Sequence, residues 1–329
     1  MHGKQTPVSF TNRQGIRLFG ILHSPARGTG TGLGAILLSP GVKMRVGPQR
    51  LYLRLTKLLV GLGVPVLRFD FYGLGDSEGT LEEDLLRDVY NHIEVGRFVD
   101  DTLDAMGWMQ REVGCSRFVL SGLCGGAITG LLAGGRDQRV AGLLALGITP
   151  VLASRSANPS LYMTSGQLNQ IGLSYLQKLW SPKSWLRLLT FRSDYRLLWR
   201  AVGRRLWKQP APPAVPPKDD NANPLFPPAF FAMATSKRPM LLVFGGADRL
   251  EFEFEERFVA RHREQLASVP DSYRLHSIAN ANHVLSFEQW QQEMIDVSAG
   301  WLEQHFPHDI LHQESPEPAV PAAIPRYAV

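Results

Sequence analysis

Cys124 stands in the run Gly122-Leu123-Cys124-Gly125-Gly126, after the apolar stretch 117–121 and before the small residues Ala127-Ile128-Thr129-Gly130. A strand, then a sharp turn carrying a nucleophile between glycines, then a helix is the G-x-S-x-G arrangement, here with sulfur in place of oxygen. The flanking glycines let neighbouring backbone pass close to the turn. A helix that begins at Gly125 aims its first amides at the thiol and stabilises negative charge there. A bare G-x-C-x-G also fits a buried structural cysteine in a tight connection, so the chemistry depends on partners elsewhere in the chain.

A thiol nucleophile needs a base to take its proton and a carboxylate to orient that base. Asp248 follows the apolar run 240–244 through Gly245-Gly246-Ala247. His283 closes Asn280-Ala281-Asn282-His283, after one predicted strand and just ahead of a predicted helix. Both fall at the carboxyl ends of strands, the edge where open α/β sheets gather their reactive groups. Asp271 and Glu251 are alternative orienting acids. Glu251 suits the positive end of the following helix, and Asp271 sits in a Pro-Asp-Ser turn. The other histidines (His2, His23, His92, His262, His276, His305, His308 and His312) read as structural or solvated, and Cys115 reads as structural. Asp70 and Asp76 are expected to steady the glycine-rich turn 72–79.

The elements that must hold these groups alternate along the chain. Residues 7–25 read as two short strands around Asn12-Arg13-Gln14-Gly15. Residues 34–40 are a buried strand, 50–61 an amphipathic helix, and 64–71 another strand. A helix over 99–113, a strand over 117–121, the elbow with its helix, and a strand over 140–147 follow. The pattern breaks near Thr149 and resumes at Pro239 with a strand, a helix over 253–267, a strand over 273–278 and a last helix over 287–304. Such alternation predicts a mostly parallel sheet covered by helices on both faces.

Composition bounds the remaining options. The 329 residues are 44% hydrophobic and 20% charged, as expected of a globular chain. No run approaches the ~20 apolar residues of a membrane span. The first residues lack the apolar core of a signal peptide, and two cysteines do not make a disulfide framework. A cytoplasmic location is the resulting expectation. No Cys/His cluster has zinc spacing and no G-x-x-x-x-G-K-[ST] occurs, so neither metal nor cofactor is expected.

Residues 150–235 form the expected insertion: helical, basic and tryptophan-rich, with a proline-rich return linker. Between Lys178 and Lys208, nine Lys or Arg face Asp194 alone, a local +8 against +5 for the chain. Trp180, Trp185, Trp199 and Trp207 interleave with the charges. The segment reads as a cap over the site, with a basic face that is either solvated or meets an acyl carrier protein, an acidic polysaccharide or a membrane surface. Nucleic acid is not expected, because no recognition motif accompanies the charge. The proline-rich 307–329 reads as a tail, leaving 1–149 and 236–306 as the core.

Five pieces together carry a family resemblance: Ser39-Pro40-Gly41-Val42, the run 68–77 (Arg-Phe-Asp-Phe-Tyr-Gly-Leu-Gly-Asp-Ser), the elbow, Gly246-Ala247-Asp248 and Asn282-His283. The chain resembles the α/β-hydrolase superfamily over about Pro7 to Phe306, and is similar to its dienelactone-hydrolase and serine-aminopeptidase-like branches. The run 45–52 with Gly122-Leu123-Cys124 most resembles hydrolases associated with exosortase and exopolysaccharide gene clusters. The resemblance implies Cys124 as nucleophile, His283 as base and Asp248 as its orienting acid. It also implies an oxyanion hole from the Gly125 and Val42 amides. Ser39-Pro40-Gly41 replaces the His-Gly of many members, but the amide after the glycine is kept. Arg45 and Arg50 follow that strand closely, to reach a substrate carboxylate or phosphate or to pack the loop. A thioester-forming site of this kind suits esters, lactones and thioesters. Three functions follow: an acyl hydrolase, an acyltransferase using the same intermediate, or a non-catalytic binding protein on the hydrolase scaffold.

Overall fold

The computed structural model describes residues 3–28, 30–153 and 221–311. One sheet organises them. Its strands are β1 (Lys4–Thr11), β2 (Arg17–Ser24), β3 (Leu33–Leu38), β4 (Val66–Phe69), β5 (Arg117–Leu123), β6 (Val140–Leu146), β7 (Met240–Gly245) and β8 (Tyr273–Ile278). They lie in the order β1-β2-β4-β3-β5-β6-β7-β8. Only β2 runs against its neighbours, pairing antiparallel with β1 and β4. From β4 onward every pairing is parallel, as the alternating sequence requires.

The central strands are apolar throughout because both faces are covered. Along β3 all six residues are buried, with Ile36 and Leu38 facing one layer and Ala35 and Leu37 the other. The first layer includes α2 (Leu86–Glu94), α3 (Val99–Val113), α4 (Gly125–Arg136), α5 (Phe226–Thr235) and α6 (Arg249–Phe254). The second is made by α1 (Leu51–Gly61) and α8 (Glu288–His305), whose Trp301 is fully buried. Period-two alternation in the strands thus divides one apolar chain into two cores.

Three elements depart from the sequence reading. Helix α2 was not expected, since its apolar spacing (Leu86, Val89, Ile93) is short and follows the acidic Glu82-Glu83-Asp84. The helix expected over 253–267 is broken: α6 runs into a π-turn at Glu255–Val259, and α7 (Arg263–Ala267) starts afresh. The π-turn belongs to an aromatic cluster in which Phe254 and Phe258 pack on Phe226.

Helix α5 also moves a boundary. Residues 226–235 were read as part of the insertion, yet Phe226, Phe230 and Met233 are buried in the first core. Pro227 and Pro228, at the end of the stretch expected to be a linker, lie in the first turn of α5, where no intrahelical donor is lost. A Cβ on Gly135 would stand 2.9 Å from the Ala229 Cα, so α4 and α5 touch backbone to backbone. The core therefore resumes by Phe226. An isolated bridge, Val151 to Ala222, joins the two chain ends that flank 154–220. The expected basic cap (154–220) and the tail from 312 lie outside the described residues.

Candidate active site

The elbow is built by close packing of backbone. Leu123 ends β5, Cys124 has φ 55 and ψ −115, and α4 starts at Gly125. A side chain with positive φ stores about 1–3 kcal/mol of strain, which the surroundings must enforce. They do so through glycine: a Cβ on Gly122 would lie 2.4 Å from the Gly126 carbonyl carbon, and one on Gly126 would lie 2.4 Å from the Leu38 oxygen. The Cys124 amide donates to the Leu146 carbonyl at 2.9 Å, fixing the turn to β6. Cys124 itself remains partly exposed.

Loops after β7 and β8 bring in the other two groups. Ala247 donates to the Ala281 carbonyl at 3.0 Å and Gly246 to that of Ile278 at 2.8 Å, so the two loops form one unit. Within it, His283 Nδ1 lies 2.6 Å from Asp248 Oδ2. The imidazole also packs over the backbone just past β6. A Cβ on Gly147 (φ +52) would stand 3.0 Å from His283 Cε1, so only glycine leaves the ring its place. Of the alternative acids, Glu251 accepts from the Ser277 hydroxyl at 2.7 Å, and Asp271 is exposed. His276 is engaged with Glu293 at 2.8 Å. Asp248 is the carboxylate that the structure sets on the imidazole.

Charge at the site follows from this geometry. Burial works against an imidazolium at His283, but hydrogen bonding and charge from Asp248 and Cys124 outweigh it and raise its pKa to about 10. The sulfur and the carboxylate thus act on the same ring. Cys115, by contrast, is buried, and burial pushes its thiol up to about 11.

The loop after β3 closes the opposite side. A Cβ on Gly125 would lie 2.9 Å from the Gly41 Cα, so the start of α4 abuts the Gly41-Val42 turn. Among the described residues, neither the Gly125 nor the Val42 amide has an acceptor. Two free donors on touching backbone segments beside a partly exposed sulfur can hold a developing oxyanion.

Arg45 is engaged by carboxylates of the protein itself. Its guanidinium pairs with Asp70 and, at 2.6 Å, with Asp76, while its amide donates to Asp70 Oδ1 at 2.6 Å. Asp70 is fully buried and also accepts from the Asp76 amide at 3.2 Å. Arg45 therefore ties the loop after β3 to the turn after β4, a packing role. Arg50 is exposed with φ 60 at the start of α1.

Several residues at the site carried no signal in the sequence. Tyr52, fully buried on α1, donates from its hydroxyl to the Leu38 carbonyl at 2.6 Å and accepts from the Leu123 amide at 2.8 Å. Burial pushes its phenol well above the ordinary range. Glu94, buried at the end of α2, accepts from the Ala153 amide at 2.9 Å, and burial pushes its carboxyl up to about 8. Among the described residues no group of three His, Cys, Asp or Glu could hold a metal ion, and no helix is long and apolar enough to cross a membrane.

Comparison with known proteins places this geometry in context. Residues 36–297 match the model of the alpha/beta hydrolase family. No curated protein matches the sequence significantly. Among solved structures, the chain is similar to an esterase of Pyrococcus furiosus, at 15% identity and TM-score 0.55, with 92% of each chain covered. It is similar to a dienelactone hydrolase of Anabaena variabilis, at 15% identity and TM-score 0.54, with 93% of this chain and 99% of that one covered. The ferulic-acid-bound Est1E of Butyrivibrio proteoclasticus gives 13% identity and TM-score 0.52, over 91% of this chain and 99% of that one. At such identities the likeness concerns the fold. With the family match spanning most of the chain, from β3 into α8, the protein belongs to the alpha/beta hydrolase family.

Proposed function

We propose that the protein is an acyl hydrolase for carboxylic esters, lactones or thioesters, working through Cys124, His283 and Asp248. The carrying observation is the 2.6 Å contact of His283 Nδ1 with Asp248, on a ring that also interacts with Cys124. In the reaction, the Cys124 sulfur attacks the acyl carbonyl, and the oxyanion forms against the Gly125 and Val42 amides. The tetrahedral adduct collapses as His283 gives its proton to the leaving oxygen or sulfur, so that an acyl thioester remains on Cys124. The neutral imidazole next deprotonates water. The resulting hydroxide attacks the thioester, and collapse expels the thiolate and frees the acid. Asp248 holds the ring with Nδ1 towards it, which leaves Nε2 to handle the protons.

An acceptor alcohol, amine or thiol in place of water would make the same intermediate an acyl transfer. The resemblance to exosortase-associated hydrolases and the basic segment 178–208 favour an acyl group presented on an acidic carrier or polysaccharide. The test is intact-mass detection of an acyl adduct after exposure to a panel of chromogenic esters and thioesters. One adduct per chain on Cys124, lost with all turnover in a folded Cys124→Ala variant, is expected. Undiminished turnover in that variant, or no adduct with any substrate, overturns the proposal. Competition between water and added nucleophiles distinguishes hydrolysis from transfer.

A further inference from the structure

Tyr90 stands beside the proposed oxyanion hole. It lies on α2, and its ring packs against the loop that carries the Val42 amide: a Cβ on Gly41 would stand 2.8 Å from Tyr90 Cε1 and 3.4 Å from its hydroxyl oxygen. Gly41 in turn abuts Gly125, the residue after Cys124. The ring edge, the Gly41-Val42 turn and the first residue of α4 therefore meet at one place. Among the described residues the Tyr90 hydroxyl has no hydrogen-bond partner, although the ring is only partly exposed. Tyr52, the other tyrosine near the elbow, spends its hydroxyl on two backbone groups. Burial and the nearby charges of Cys124 and Glu94 keep the Tyr90 phenol protonated, so it can only donate to an anion.

We propose that Tyr90 is a further catalytic residue, its hydroxyl donating a third hydrogen bond to the acyl oxygen as that oxygen becomes an oxyanion over Gly125 and Val42. The inference rests on Cys124 being the acylated nucleophile. The Tyr90 hydroxyl is only partly shielded, so water can supply part of what it donates. Its removal is therefore expected to cost about 10- to 100-fold in acylation rate, below the two to three decades typical of an essential donor.

Tyr90→Phe keeps the ring on Gly41 and deletes the hydroxyl alone. Two reactions of Cys124 are then compared in the variant and the parent: pre-steady-state acylation by p-nitrophenyl esters, and alkylation by iodoacetamide. Alkylation displaces iodide from carbon and develops no oxyanion. The expected result is kcat and the acylation rate falling about 10- to 100-fold, with KM and the alkylation rate changing less than about two-fold. Unchanged acylation, or acylation and alkylation slowed together, overturns the proposal. If the parent itself forms no acyl-enzyme on Cys124, the underlying hydrolase reading fails instead, an outcome read independently of the variant.

Discussion

The amide of Leu123 donates to the hydroxyl of Tyr52 at 2.8 Å, across 71 residues of sequence. The same hydroxyl donates to the Leu38 carbonyl. One buried oxygen therefore joins the ends of β3 and β5, the two strands from which the oxyanion loop and the cysteine elbow depart. Each of those backbone groups lies where the ladder is opening into a loop. Without the phenol, both groups lose this hydrogen bond in a place closed to water, since Leu38 and Leu123 are buried.

Tyr52→Phe should accordingly destabilise the fold by about 1–3 kcal/mol, the cost of leaving buried donors and acceptors unpaired. It should also slow acylation, because Cys124 is the next residue after Leu123. Urea unfolding and burst kinetics measure both effects. A change below about 0.5 kcal/mol with unaltered burst rate would show that the elbow is held by its glycines alone.

Asp248 sets the proton on His283. In the fold the imidazole keeps its proton up to about pH 10, against 6.5 without the fold. Activity that needs an imidazolium to protonate the leaving group should hold through neutral pH and fall as pH rises through about 10. The stability linked to this proton has the same sign: it is complete below pH 6.5 and lost as pH rises through about 10. Asp248→Asn removes the charge and offers the ring an amide that can donate as well as accept, so nothing holds the proton on Nδ1. Its alkaline limb should move towards neutrality, with kcat down roughly 100-fold or more. A pH profile of kcat/KM that superimposes on the parent's would exclude Asp248 as the orienting acid.

Much of this site was legible because its parts sit at places the chain marks for itself. Cys124 lies between glycines after an apolar run, Asp248 follows a second apolar run, and His283 follows a predicted strand just ahead of a predicted helix. What could not be read depends on contacts between distant elements. Tyr52 lies beside the apolar stripe of α1, and its hydroxyl finds partners only once β3 and β5 lie side by side. Gly147 resembled any glycine after a strand until the His283 ring was placed over it. Arg45 looked available for a substrate because the buried Asp70 that binds it is distant in sequence. Helix α2, which brings Tyr90 to the site, carries Leu86, Val89, Tyr90 and Ile93 at helical spacing, but the stripe is only two turns long and its acidic approach masks its start. The prolines of α5 were punctuation read in the wrong sense: they open a helix instead of prolonging a linker.

His23 shows the same dependence on distant contacts, and it governs the response to acid. Arg68 is only 2% exposed, and among the described residues no carboxylate binds it directly. Its Nε and Nη2 point at His23 Nε2, at 3.2 and 2.9 Å, and its Nη1 donates to the Arg45 carbonyl at 3.2 Å. The histidine nitrogen must be unprotonated to accept. A proton there would remove the acceptor and set two cations together beneath the turn that holds Arg45 and Asp70. Burial, aided by the Arg68 charge, lowers the His23 pKa to about 4 from 6.5. Between those values the unfolded chain takes up a proton that the fold refuses, so stability falls as pH drops from 6.5 towards 4. His23→Gln offers Arg68 a carbonyl acceptor that does not titrate. Its Tm should therefore decline less than the parent's over that interval, while the carboxylates common to both contribute equally. Parallel Tm curves for the two proteins from pH 7 to 4 would mean that His23 already carries a proton in the fold, and the Arg68 contact would then need another explanation.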